Sequence, residues 1–211
     1  LNQAGQDLRR IVDAASPDAR PLRRARALAL CGKGLGALSV MAGDAAAHQQ
    51  GQAFFEAAAE QFTIDHSPLD WAAIQLLSGE DASLSTLIEV EALTMGAGLM
   101  IGAMAREQRT AREVACAASI GDLKALVLIE HRLLKRLVQS RAAAASAPMD
   151  WAADQIGAAL IAATRAKLSP QTAPPAHLGL ILTEAAQTAR EQGASTLADR
   201  AEQVQQPVAQ R

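Results

Sequence analysis

Alanine is the residue that most constrains how this chain can fold. It supplies 49 of the 211 residues, whereas aromatic residues make up only 2% and tyrosine is absent. Alanine is the strongest helix former, and strands are built mainly from β-branched and aromatic residues. The composition therefore predicts an all-α fold and argues against all-β and parallel α/β folds.

Proline, glycine and serine interrupt the sequence at regular intervals, for example at Ser16-Pro17, Gly43-Asp44 and Gly193. Such residues mark turns and helix ends. They predict nine or ten helices joined by short turns, paired as antiparallel hairpins in a single helical-repeat domain over residues 1–211. We expect the hairpins to stack as a solenoid, or to compact into a helical bundle if a long apolar helix lies centrally.

Two stretches of the second half show strong helical patterns. The apolar segment 83–109 predicts that long helix, and Thr110 and Glu113 have the spacing of a capping box that would start the next one. Residues 123–141 carry the clearest apolar stripe of the chain. Its members are Leu123, Leu126, Val127, Leu133, Leu134, Leu137 and Val138.

A short motif occurs twice, 80 residues apart. Pro68-Leu69-Asp70-Trp71-Ala72-Ala73-Ile74-Gln75 returns as Pro148-Met149-Asp150-Trp151-Ala152-Ala153-Asp154-Gln155, and its tryptophans are the only two in the chain. Proline is favoured at the first position of a helix, and an acidic residue in the first turn interacts favourably with the helix dipole. The motif therefore predicts two helix starts, each with a tryptophan buried against a neighbouring helix. A repeat of this length is typical of helical-repeat proteins.

Charge and cysteine content exclude several classes of protein. The net charge is −2, and a nucleic-acid-binding protein would show a basic excess. The uncharged apolar run Ala92–Ala105 is shorter than the roughly 20 residues of a membrane span, so none is expected. Cys31 and Cys116 form no disulfide pattern, which favours packing as small apolar residues in a reducing, cytoplasmic setting. The chain begins at Leu1 rather than Met, which fits a piece of a longer polypeptide.

The residues give no sign of catalysis. The four histidines lie far apart in the sequence, so neither a metal site nor a cofactor is expected. The glycines of residues 32–36 lack the Gly-Lys-Ser/Thr ending and the preceding strand of a phosphate-binding loop. Asp65, His66 and Ser67 are adjacent and cannot form a hydrolytic triad. We therefore expect a protein that is not an enzyme.

Several of these residues together resemble a known family. Leu35-Gly36, Gly43-Asp44 and the segment 57–72, which ends in Pro68-Leu69-Asp70-Trp71-Ala72, are similar to divergent bacterial tetratricopeptide repeats. Members of that family carry a Leu-Gly pair in the first helix of a repeat and an Ala-rich second helix. The similarity extends over about residues 26–80, and the Pro-x-Asp-Trp-Ala-Ala-x-Gln junction returns near residue 150.

The resemblance implies a stack of helix pairs that binds another protein in a concave groove. The first helix of each pair would face this groove with Leu30, Lys33, Ala37 and Val40, and the next repeat would add Ala73, Leu76 and Glu80. Family members that bind a peptide carboxylate use asparagines, and this chain has no asparagine after Asn2. An apolar groove that binds a partner helix or peptide fits these residues better.

Two alternatives remain open from the sequence. One is an all-α ligand-binding regulator or enzyme, with a pocket near the 83–109 helix and Glu130 as an acid or base, or simply as the partner of an arginine. The other places the interaction on a basic zone near the N-terminus. That zone consists of Arg9, Arg10, Arg20, Arg23, Arg24 and Arg26.

Overall fold

The computed structural model describes residues 2–77, 82–94, 100–140, 147–169, 171 and 174–209. All regular structure in these ranges is α-helical, which confirms the all-α class. The helices are α1 (Asn2–Ala14), α2 (Pro21–Ala42), α3 (Ala45–Ala59), α4 (Pro68–Leu77), α5 (Leu84–Leu93), α6 (Met100–Ser119), α7 (Leu123–Ser140), α8 (Pro148–Leu168), α9 (Leu178–Glu191) and α10 (Ser195–Ala209).

The chain divides into two compact units, Leu1–Ala82 and Ser83–Arg211. The first unit contains α1 to α4, and the second contains α5 to α10. In each unit, helices that follow one another in the sequence pack against each other, as hairpins do. A solenoid formed by all the hairpins as one domain stays a prediction.

Three helix hairpins turn at a glycine in the left-handed conformation. Gly43, Gly121 and Gly193 have φ angles of 66°, 68° and 75°, a region that side chains with a Cβ rarely adopt. An aspartate follows the first two of these glycines and caps the next helix. The Asp44 carboxylate accepts a hydrogen bond from Ala46 N at 2.9 Å, and the Asp122 carboxylate accepts one from Ala125 N at 3.0 Å.

The core of the first unit forms where α2 crosses α3. Gly32 and Gly51 lie at the crossing, and a Cβ added to Gly32 would lie 2.9 Å from the carbonyl oxygen of Gly51. Small residues at this crossing therefore let the two backbones approach closely. Phe55 and Phe62 fill the space beside them and are buried against Leu28.

Among the residues that the structure describes, two apolar clusters hold the second unit together. In one, Leu126 and Leu133 of α7 are buried against α6 and against Ile161 of α8. In the other, α8 packs on α9 and α10 through alanines and a few larger residues, among them Ile156 and Leu182. Because alanine has a short side chain, these helices can approach closely without large aromatic anchors.

Both copies of the repeated motif start a helix, as predicted. Pro68 opens α4 and Pro148 opens α8. The aspartate two residues later pairs with an arginine on the helix that lies two helices earlier in the chain. Asp70 accepts hydrogen bonds from Arg26 at 2.8 and 2.7 Å, and Asp150 lies 3.2 Å from Arg106. The two arginines are also 80 residues apart in the sequence, so the repeat extends to a pairing that the motif alone does not contain.

The prediction of one long helix over residues 83–109 is wrong. α5 ends at Leu93, α6 begins at Met100, and the two helices pack against each other. The capping box is wrong as well, because Thr110 and Glu113 lie inside α6. The Thr110 hydroxyl donates a hydrogen bond to the carbonyl oxygen of Arg106 at 2.9 Å, which is the way a threonine is accommodated in the middle of a helix.

The two tryptophans pack at the edges of their apolar clusters and are half-buried there. Replacing Trp71 or Trp151 by Ala is expected to lower the free energy of unfolding by about 2–3 kcal/mol, less than the roughly 3–5 kcal/mol of a fully buried aromatic residue. Urea titration of each variant measures this. A change below about 1 kcal/mol for both would refute an anchoring role.

One helix in the described ranges, α2, is long and apolar enough to cross a membrane when judged by length and composition alone. Of its most apolar stretch, 33% is buried in the protein. A helix that packs in a protein core meets the same criterion, so the finding describes how apolar α2 is.

Candidate functional site

The exposed side of α2 carries most of the residues that the resemblance assigns to a groove. Leu30 is 57% exposed and Val40 is 85% exposed, and Lys33 and Ala37 are exposed as well. Met41, which the sequence analysis did not include, extends the same side. Their spacing of three and four residues places all five on one side of the helix. We call Leu30, Lys33, Ala37, Val40 and Met41 the α2 surface.

Of the three groove residues assigned to the next repeat, two are partly or fully buried and the third lies outside the described residues. Ala73 of α4 is half-buried, and Leu76 is only 6% exposed. Leu76 therefore has little surface to offer a partner. Glu80 lies outside the described residues. The α2 residues are thus the ones available for contact.

Packing on the opposite side of α2 determines which of its residues face outward. Ala25, Leu28 and Gly32 are buried against the core of the first unit. Since one side of the helix is fixed in this way, the α2 surface is presented outward.

The second unit contains a group of charged residues that the sequence analysis did not predict. It lies among α5, α6, α7 and α8, and we call it the charge cluster. Four arginines and four carboxylates form it, so its formal charges balance. Its members are Glu91, Arg106, Arg109, Glu113, Arg132, Arg136, Asp150 and Asp154.

Glu91 is the centre of the charge cluster. It accepts hydrogen bonds from Arg106 at 3.3 Å, Arg109 at 2.8 Å and Arg136 at 3.4 Å. Burial acts to raise the pKa of Glu91, but these three arginines together hold it below its usual range. The Glu91 carboxylate therefore stays ionised and joins α5 to α6 and α7.

Glu113 and the two aspartates complete the charge cluster. Glu113 accepts a hydrogen bond from Arg109 at 3.1 Å, and it also pairs with Arg132 of α7. Asp154 is 2% exposed and lies 2.8 Å from the Arg136 guanidinium. Burial raises the pKa of Asp154 to about 6, although the attraction of Arg136 opposes this. Burial likewise lowers the pKa of Arg136.

The pairing within the charge cluster indicates a structural role. Each carboxylate lies within ion-pair distance of at least one arginine of the same cluster, so the opposite charges are paired. Arg136 Nη2 and Asp154 Oδ1 are close enough for an ion pair but form no well-aligned hydrogen bond. Spacing is the signal that the sequence offers: Arg106 and Arg109, Arg132 and Arg136, and Asp150 and Asp154 each lie three or four residues apart, on one face of their helix. Sequence alone, however, does not show which helices bring these pairs together.

The other candidate residues are engaged in ordinary contacts. Glu130 pairs with Arg165, in agreement with a salt bridge to an arginine. In the N-terminal basic zone, Arg10 pairs with Asp7 and Arg24 donates to the carbonyl oxygen of Val12 at 2.8 Å. These partners reduce the charge that the zone can offer to another molecule.

The cysteines differ from each other. Cys31 is half-buried, and burial raises the pKa of its thiol. Cys116 is exposed, so the prediction that it packs as a small apolar residue is wrong. Among the residues that the structure describes, no three His, Cys, Asp or Glu side chains come together as a metal site.

Comparison with known proteins adds no relative. No protein-family model matches the chain, no curated protein matches it, and no solved structure matches it. Any functional conclusion therefore has to come from the chain's own surfaces. Of the residues predicted for partner binding, those on α2 are the ones that are both exposed and on one face.

Proposed function

We propose that this chain is a protein-interaction module that binds a helix or peptide of another protein on the α2 surface. The observation that carries the proposal is the exposure of Leu30, Val40 and Met41 on a helix whose opposite side is buried. Large exposed apolar residues grouped on one face are typical of interaction sites. A helix-in-groove contact uses anchors at this spacing.

The charge of Lys33 supports a partner that is at least partly acidic. Arg26 of the same helix is paired with Asp70, whereas no ion pair involves Lys33 among the described residues, and α2 contains no aspartate or glutamate. Lys33 lies among the apolar residues and can meet a carboxylate on a bound helix. Small side chains such as Ala37, beside a glycine with open space at its Cβ position (Gly34), leave room for close approach.

The proposal also names a protein family and a cellular compartment, and both are inferred from the sequence. The resemblance to bacterial tetratricopeptide repeats supports a helical-repeat scaffold that binds proteins. The two free cysteines fit a cytoplasmic protein. The antiparallel hairpins are compatible with such a scaffold.

Introducing glutamate at two exposed positions tests the proposal. Ala37→Glu with Val40→Glu is expected to abolish partner binding, because it places two charges in the middle of an apolar contact. Thermal stability should hardly change, by less than about 0.5 kcal/mol, since both positions are exposed. The matched control is Gln49→Glu with Ala53→Glu on α3, which adds the same charge at exposed positions.

The measurement uses a photo-crosslinking amino acid in the source cell, either at exposed position 41 of α2 or at exposed position 53 of α3. Mass spectrometry then identifies proteins that are linked from position 41, are absent from position 53, and are lost from position 41 when Ala37→Glu and Val40→Glu are also present. Partner binding that survives in the double variant would assign the interaction to another face. Crosslinking of position 41 to lipid, together with vesicle co-sedimentation, would show that the surface binds a membrane instead of a protein.

A further inference from the structure

Helix α7 has an exposed apolar face that is separate from the α2 surface and has no part in the proposed function. Its apolar stripe divides in the structure: Leu126 and Leu133 are buried, whereas four other members are exposed. The exposed members form one row, which consists of Leu123, Val127, Leu134 and Val138. Val138 is 74% exposed, so this row is a substantial apolar surface without a partner among the described residues.

A row of basic residues lies directly beside the apolar row. Helical geometry places Lys124, His131 and Lys135 next to each other on the exposed side, and Leu128 lies at their outer edge. We call the apolar row, the basic row and Leu128 the α7 surface. It is about 23 Å long, or four helical turns, from residue 123 to residue 138.

The α7 surface carries no free negative charge. Glu130 is the single acidic residue of α7, and Arg165 of α8 pairs with it. No ion pair involves Lys124 or Lys135 among the described residues. An apolar row with a one-sided basic edge is complementary to an amphipathic helix whose apolar face has an acidic edge.

We propose that the α7 surface is a docking site for an acidic amphipathic helix of another protein. Its apolar residues would pack against Leu123, Val127, Leu134 and Val138, and its carboxylates would lie along Lys124 and Lys135. This site is in the second compact unit, and it does not depend on the α2 surface.

Charge also argues against two other occupants. A second copy that docked through its own α7 surface would bring the same basic row and no free carboxylate to neutralise it. Helices that bind membrane interfaces usually carry basic residues on a broad polar face and aromatic residues on the apolar face. The basic residues of the α7 surface follow one edge only, and α7 contains no aromatic residue.

The test uses a displayed library of amphipathic helical peptides. Their apolar positions vary among Leu, Ile, Val and Phe, and their edge positions vary among Glu, Gln and Lys. Selection on the full chain is expected to enrich glutamate at the edge that faces the basic row. Absence of enrichment, or enrichment of Gln or Lys, overturns the proposal.

Charge reversal then locates the binding site. Lys124→Glu with Lys135→Glu is expected to weaken binding of a selected acidic peptide by about tenfold or more, because two favourable pairs become repulsive. Fluorescence anisotropy measures the affinity. Lys135→Glu alone is compared with Lys167→Glu, an exposed residue of α8 that should leave the affinity unchanged. If the double variant fails to fold, Lys124→Gln with Lys135→Gln replaces it.

Two further measurements separate the alternatives. Binding to phosphatidylserine vesicles that is lost in the double variant, together with failure of every acidic peptide, overturns the proposal in favour of a membrane. Dimerisation in sedimentation velocity that Val127→Gln abolishes overturns it in favour of self-association. The Ala37→Glu and Val40→Glu variant is expected to bind the acidic peptide normally, so failure of the α2 proposal can be told from failure of this one.

Discussion

Replacing Glu91 by Gln is expected to lower the free energy of unfolding by about 3–5 kcal/mol. The change removes the one negative charge that contacts Arg106, Arg109 and Arg136 together. The Glu91 side chain is 12% exposed, so water can replace little of the lost interaction. The arginines would remain in place with too few carboxylates beside them. Urea titration of the variant and the parent chain measures the difference.

Glu89→Gln is the matched control for this prediction. Glu89 lies two residues away on α5 and is exposed, so its replacement should change the free energy of unfolding by less than about 0.5 kcal/mol. A similar small effect in both variants would mean that the charge cluster contributes nothing to stability.

Replacing Asp154 by Asn is expected to change how stability depends on pH. Burial raises the pKa of Asp154 from 3.8 to about 6, so the folded chain binds this proton more tightly than the unfolded chain. The stability from this group is complete below pH 3.8 and is lost as the pH rises through 6. The loss amounts to about 3 kcal/mol, and asparagine, which does not titrate, avoids it.

The difference in unfolding free energy between the Asp154→Asn variant and the parent is the quantity to measure, from pH 4 to pH 7. We expect it to move in favour of the variant by about 2.5 kcal/mol between these two pH values, since a small part of the loss has already occurred at pH 4. Taking the difference removes contributions of other groups such as Glu91, whose lowered pKa acts in the opposite direction. A difference that stays flat over this range would contradict the raised pKa of Asp154.

The charge cluster also bears on the proposed docking site. Arg132 and Arg136 project from α7 toward the carboxylates of α5, α6 and α8. These pairs, with buried Leu126 and Leu133, fix the rotation of α7 about its own axis. The α7 surface faces outward as a result. A cluster variant that loosens α7 should therefore weaken docking even though it touches no residue of the α7 surface.

Local chemistry made the helices and several of their ends predictable. The abundance of alanine indicates an all-α chain. Pro68 and Pro148 mark helix starts, because a backbone N–H in the first turn has no partner within the helix and proline therefore loses no hydrogen bond there. Gly43 and Gly193 mark turns because glycine tolerates a positive φ. These features depend on a few neighbouring residues, so sequence alone determines them.

Other features depend on contacts between helices that lie far apart in the sequence, so they become visible in the folded chain. Apolar residues occur on more than one side of α7, so their spacing in the sequence could not show that Leu126 is buried and Val127 exposed. The ion pair between Glu91 and Arg136 joins residues 45 positions apart, and neither residue type indicates its partner. Burial of Leu76 likewise follows from how α4 packs in its unit. A side chain's exposure and its charge partner are set by the neighbouring helices, and for that reason local sequence leaves them open.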